Sequence, residues 1–169
     1  MNWGQFSDAA PELAAKGATL FEGPGVVLIG TVRKDGSPRI SPVEAMIHDG
    51  RLYLGMMWQS LKALDLMRDP RCTVHNLIAD RMAADGEFKL HGRAGEVRDD
   101  VERKGYCQAV FKKMGWSPEG MKFHLFSIDI ESAGLFTQDG DKRLITLFRP
   151  AEGISRFHHF IDGRKVRVP

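Results

Sequence analysis

Short apolar and alternating runs, each closed by a turn signal, dominate this chain. Val26–Arg33, "VVLIGTVR", is β-branched and continuous, as in a buried strand. The Asp-Gly of "KDGSPR" is a strong hairpin signal, and Arg39–Ile47 then alternates polar and apolar positions. A second turn at His48–Gly50 leads into Arg51–Met57, so three adjacent antiparallel strands are predicted. Cys72–Leu77, Glu87–Asp99, Lys122–Ile130 and Ala133–Gln138 read as further strands, with Gly92 and Gly95 as candidate bulges. "RLITLFRP" and "RFHHFI" add strand composition around a proline-containing turn.

Helical spacing is confined to three places. Pro11–Leu20 is amphipathic, with proline at an early helical position. Ser60 is placed as an N-cap for a helix whose apolar face is Leu61, Leu64 and Met67 and which stops at Pro70. Asp100 is placed to cap "VERKGYCQAVFKKMG", a helix interrupted at Gly105. Many short strands, tight turns and few helices predict a mainly β fold, a closed or partly closed antiparallel barrel with flanking helices. Strands and helices do not alternate, which disfavours a Rossmann arrangement.

Composition narrows the class. A chain of 169 residues suits one domain, read here as 1–169 without repeat or linker. With 43% hydrophobic and 27% charged residues it is an ordinary soluble composition, and no apolar run approaches a membrane span. The first residues do not resemble a signal peptide, so a cytoplasmic location is expected. The formal net charge of +2 is spread among nearly as many acids as bases, which gives nucleic acid no footprint. Cys72 and Cys107 form no CxxC pair and read as small buried hydrophobes. His48, His75, His91, His124, His158 and His159 are dispersed, and the adjacent last two point to opposite faces of a strand, so no metal site is expected.

The candidate chemistry lies at the start of the second helix, in "GMMWQSLKALDLMRDPRCTVHN". A helix N-terminus offers free N–H groups and a partial positive charge, to which Ser60 adds a hydroxyl and Lys62 an ammonium. Arg39 and Ser41 lie two residues apart on one strand and so share a face. Four groups would then surround one phosphate, against the plainer reading of a helix cap and an ordinary charged strand edge.

The order of "DGSPRISPV", "DGRLYL", "SLKALDLMRDPRCTV" and "EFKLHGRAGEV" resembles the pyridoxamine 5'-phosphate oxidase-like superfamily of flavin-binding split barrels, over about Val26 to Phe136. The resemblance implies an antiparallel split β-barrel of the FMN-binding type, with a core at about 26–136 and C-terminal strands and a tail at 137–169. It also implies a homodimer with cofactor at the interface. By position, Arg39 and Ser41 would approach the cofactor phosphate or ribityl chain, and Ser60 and Lys62 would hold the phosphate. Met56 and Met57 would pass their backbone beneath the ring, and Trp58 is the tryptophan nearest the site; Trp3 and Trp116 are assigned to packing. Glu87 falls where many relatives place a cofactor-contacting glutamine from the second subunit, and Phe136 falls near a family tryptophan.

Departures from the pattern bear on function. The substrate-handling lysine of true pyridoxamine-phosphate oxidases corresponds to Glu44, and in the C-terminal arrangement Arg143 survives while Ile145 and Leu147 replace a histidine and an arginine. A substrate phosphate would lose most of its clamp, so the expected function is an FMN-binding oxidoreductase acting on another small molecule. The alternatives are a reductase using the deazaflavin coenzyme (F-420), or a flavin carrier or sensor without turnover. The closing "DGRKVRVP" is read as a solvated tail, with coverage of a partner's cofactor as the alternative.

Overall fold

A computed structural model describes residues 1–81 and 83–168; Met82 and Pro169, the end of the predicted tail, lie outside the described residues. Helices α1 (Trp3–Ala9) and α2 (Pro11–Glu22) precede strands β1 (Val26–Val32), β2 (Pro38–His48) and β3 (Arg51–Met57). Helix α3 (Leu61–Arg68), strands β4 (Arg71–Asn76) and β5 (Glu87–Glu96), and helix α4 (Asp100–Met114) follow. The chain ends in β6 (Phe123–Asp139), β7 (Lys142–Arg149), β8 (Gly153–His159) and β9 (Lys165–Val168).

The strands run in the order β3-β2-β1-β4-β5-β6, and β3 pairs with β6, closing a six-stranded antiparallel barrel. β6 does double duty because it is long. Its first half closes the barrel, from Met57 opposite Phe123 to Tyr53 opposite Ser127, and its second half carries β7, with β8 and β9 beyond. The predicted break at "ES" is a bulge within one strand: Ser132 faces His91 and Ile130 faces Gly92, leaving Glu131 as the extra residue. Gly92 is needed there, since a Cβ on it would lie 2.2 Å from the Asp129 carbonyl oxygen. The other candidate bulge, Gly95, pairs in regular register with Ser127.

The barrel interior is filled by Val27, Ile29, Leu52, Leu54, Val74, Phe88 and Leu90. Helices α1 and α2 bring in Trp3, Phe6 and Phe21, and the Phe21 and Phe88 rings meet edge-on at 5.0 Å. A second apolar cluster joins α4 to the outside of the barrel, with Tyr106, Cys107 and Val110 against Met46, Tyr53 and Leu125. Several local expectations are revised. Helix α4 is capped by Asp99, whose side chain accepts from the Glu102 N–H at 2.8 Å, rather than by Asp100, and it runs unbroken through Gly105. The short helix α1, with an Asn2–Gln5 capping box, was not anticipated. Residues 165–168 of the predicted tail form a strand on β8. The Leu61, Leu64 and Met67 stripe of α3 faces outward, and the helix instead buries Ala63, Asp65 and Leu66.

Candidate functional site

Alternation along β2 decides what the site receives. Val43 and Ala45 enter the core, and Arg39 and Ser41 share their parity; Pro42 and Glu44 are exposed on the outer face. Arg39 reaches the buried carboxylate of Asp65 on α3, its Nε donating to Oδ2 at 2.6 Å. Thr31 Oγ1 donates to the same oxygen at 3.0 Å, and Arg68 to Oδ1 at 3.2 Å. Burial pushes the Asp65 pKa up, but these three hydrogen bonds outweigh it and leave the group below its ordinary value. Arg39 therefore fastens α3 to the barrel, while Ser41 lies half-buried opposite Ile29.

Between β3 and α3 the chain turns sharply. Gln59 adopts a left-handed conformation (φ 57°), and the Ser60 N–H donates to the Met57 carbonyl at 3.1 Å. Ser60 takes the N-cap position, yet its hydroxyl makes no cap hydrogen bond. Its Oγ is buried without a hydrogen-bond partner among the described residues. Lys62 extends across to β2 and donates to the Pro42 carbonyl at 2.7 Å; burial lowers its pKa.

Beside these groups a cavity of about 520 Å³ opens on the outer face of the barrel. β2 and β3 contribute Pro42, Val43, Glu44, Gly55, Met56 and Met57; the following turn supplies Trp58, and α3 supplies Lys62. α4 adds Tyr106, and the segment after it adds Trp116, Pro118, Met121 and Lys122. Trp58 is half exposed and stacks on His124, with ring centroids 4.5 Å apart and planes at 10°. His124 is buried, with Nδ1 3.4 Å from Glu96 Oε1 and Nε2 without a partner among the described residues.

Of the nine residues singled out in the sequence, Met56, Met57, Trp58 and Lys62 line this cavity, and Ser60 adjoins it in the chain. Glu87 and Phe136 do not line it; they lie opposite each other on β5 and β6. Glu87 receives hydrogen bonds from Lys89 at 3.1 Å and His75 at 3.3 Å, and Lys89 Nζ lies 4.7 Å from the centre of the Phe136 ring. Tyr106, Trp116, Met121 and Lys122 were not anticipated as site residues. They come from a helix and loop that only the tertiary fold brings to β2 and β3; Trp116, assigned to packing, is half exposed on the cavity wall. Among the described residues no three His, Cys, Asp or Glu side chains gather as metal ligands would.

A family model described as pyridoxamine 5'-phosphate oxidase matches residues 13–136. No curated protein sequence matches the chain. Among solved structures, general stress protein 26 from Bacillus anthracis is similar at 19% identity over 91% of this chain and 97% of that one, with a TM-score of 0.56. A putative pyridoxamine 5'-phosphate oxidase from Listeria innocua is 19% identical over 72% of this chain and 95% of that one, with a TM-score of 0.59. ChuZ from Campylobacter jejuni reaches a TM-score of 0.68 at 14% identity, over 94% of this chain and 65% of that one. At these identities the structures speak for the fold.

Proposed function

This chain belongs to the pyridoxamine 5'-phosphate oxidase family, and from that premise we propose that it is an FMN-dependent oxidoreductase acting on a small molecule other than pyridoxamine phosphate. The observation that carries the proposal is the Ser60 hydroxyl, buried and partnerless at the N-terminus of α3 beside Lys62. A buried hydroxyl without a partner is costly, and a phosphate oxygen is the acceptor this position lacks. The first N–H groups of α3 have no intrahelical acceptor, and Lys62 on the same turn carries its ammonium to the Pro42 carbonyl on the cavity wall. The residues present therefore fit a phosphorylated cofactor.

In this reading Ser60, Lys62 and the α3 N–H groups hold the phosphate. Met56 and Met57 present their strand edge to the ring, and Trp58 closes one side of it. Arg39 acts through Asp65, keeping α3 at the height where its N-terminus meets the cavity. When bound, the flavin supplies the hydride chemistry; the chain supplies position, charge and exclusion of water. The cavity opens to solvent and Trp58 on its wall is half exposed, which supports turnover over sequestration. Glu44 on the cavity wall, and Ile145 buried in β7, leave a second phosphate without a clamp, which supports a substrate other than a pyridoxal-type phosphate.

The test is a paired fluorescence titration of cofactor-free protein with FMN and with the deazaflavin coenzyme, repeated on Lys62→Ala. FMN should bind the wild type, and Lys62→Ala should weaken it by about 1–3 kcal/mol, as expected for loss of a charge-assisted hydrogen bond. Preference for the deazaflavin would move the chain to the other cofactor with the same phosphate site. Binding of neither, or equal affinity in Lys62→Ala, would overturn the site.

A further inference from the structure

One wall of the cavity presents a carboxylate without a counter-charge. Glu44 is exposed on the outer face of β2 and forms no ion pair among the described residues. The lysines that share its surroundings are engaged elsewhere: Lys113 is bound to Glu22 at 2.8 Å, and Lys62 to the Pro42 carbonyl. Across the ladder Glu44 faces Gly55, and the space a side chain would take there is filled by Tyr106, whose Oη lies 2.4 Å from where a Cβ would stand. Glycine at this position thus lets a phenol oxygen lie over the ladder position opposite Glu44. Burial, and then the Glu44 charge, raise the Tyr106 pKa, so the hydroxyl stays protonated.

Trp58, Trp116 and Phe123 give the wall aromatic surface, Met56, Met57 and Met121 thioethers, and Val26, Pro42, Val43 and Pro118 aliphatic surface. Ring faces attract cations, and a flat ligand finds stacking surface here. The remaining cation, Lys122, is at the other end of the cavity. Its neighbour Phe123 pairs with Met57, whereas Glu44 pairs with Gly55, so strand spacing puts the two backbones more than about 10 Å apart, and no ion pair joins the two side chains among the described residues.

We infer that the Glu44 end of the cavity is the substrate subsite and that it takes a planar organic cation, an aromatic amine or amidine. The positive nitrogen sits on the Glu44 carboxylate, with the Tyr106 oxygen as second acceptor, and the ring lies among the aromatic side chains. The inference rests on the proposed cofactor reading: a flavin phosphate beside Lys62 adds negative charge to the cavity and leaves Glu44 to the substrate.

Benzamidine, benzoate and benzyl alcohol serve as probes, titrated by calorimetry into the FMN-loaded chain and into Glu44→Gln and Glu44→Lys. Benzamidine should bind the wild type at least about tenfold more tightly than benzoate and should lose about tenfold or more in Glu44→Gln, the scale of one charge-assisted hydrogen bond. Glu44→Lys should reverse the preference toward benzoate. Benzamidine that binds no better than benzoate, or that binds Glu44→Gln as well as wild type, would overturn the subsite. FMN titration of the same preparations reads the cofactor separately: a chain that refuses FMN yet selects benzamidine through Glu44 overturns the flavin reading and retains the cation subsite.

Discussion

Asp65 and Ser60 are five residues apart and have opposite states of satisfaction. The Asp65 carboxylate is buried with three donors around it, whereas the Ser60 hydroxyl is buried with none. The first is what a structural anchor needs; the second is what a binding site tolerates until its ligand arrives. Replacing Asp65 with Asn keeps the shape and removes the charge facing Arg39 and Arg68, so Asp65→Asn should cost about 3 kcal/mol at neutral pH by urea denaturation. The pH dependence has a definite sign. Because hydrogen bonds hold the folded pKa below its ordinary value, the stabilisation is present above the unfolded carboxylate's pKa of about 3.9 and is lost as pH falls through the folded value. The difference between wild type and Asp65→Asn should therefore shrink on acidification below about pH 4. A gap that stays constant there would mean that Asp65 is not ionised in the fold.

At the scale of elements, the strands of the barrel were legible because two signals agreed: apolar runs or alternation, and Asp-Gly or His-Asp-Gly turns between β1, β2 and β3. The helices were legible in place but not in orientation. Leu61, Leu64 and Met67 form a stripe that reads as a buried face, yet the anchor of Asp65 to Arg39 and Thr31 rotates α3 so that Ala63 and Leu66 go inward. Local periodicity cannot report a buried ion pair to a strand 26 residues away in sequence. The same limit hid half the cavity: Tyr106 and Trp116 belong to α4 and its trailing loop, and nothing in their own sequence says which strands they will face. The cap of α4 was misplaced by one residue because Asp99 and Asp100 are chemically identical candidates, and only backbone geometry separates them. Asp99→Ala should therefore lower stability by about 1 kcal/mol, while Asp100→Ala should change it by less than half as much, both read from thermal or urea unfolding. The reverse order would return the cap to Asp100.

Whole-molecule behaviour follows from the face that α3 leaves uncovered. Leu61, Leu64 and Met67 are 61%, 36% and 50% exposed, and they recur every third residue as a stripe. Ile40, Met57 and Trp58 add exposed apolar side chains on the neighbouring strand and turn. An exposed apolar stripe of this kind is uncommon on a solitary globule, and we propose that it is an association face. A second observation points the same way. Glu87 and Phe136 form their own cluster with His75 and Lys89 and do not line the cavity of their own chain. If they contribute to a cofactor site, a second copy must bring them. A self-complementary, two-fold contact through the α3 stripe would supply that copy with the symmetry most oligomers adopt. The chain should accordingly run at twice its 18.9 kDa mass in light scattering, and Leu64→Glu, which places a charge in the middle of the stripe, should shift it toward monomer. If the site is shared, FMN affinity should fall together with dimer content, because each half-site then lacks the partner's residues. A Leu64→Glu monomer that binds FMN as tightly as the wild type would confine the cofactor to one chain and leave Glu87 and Phe136 with a purely structural role.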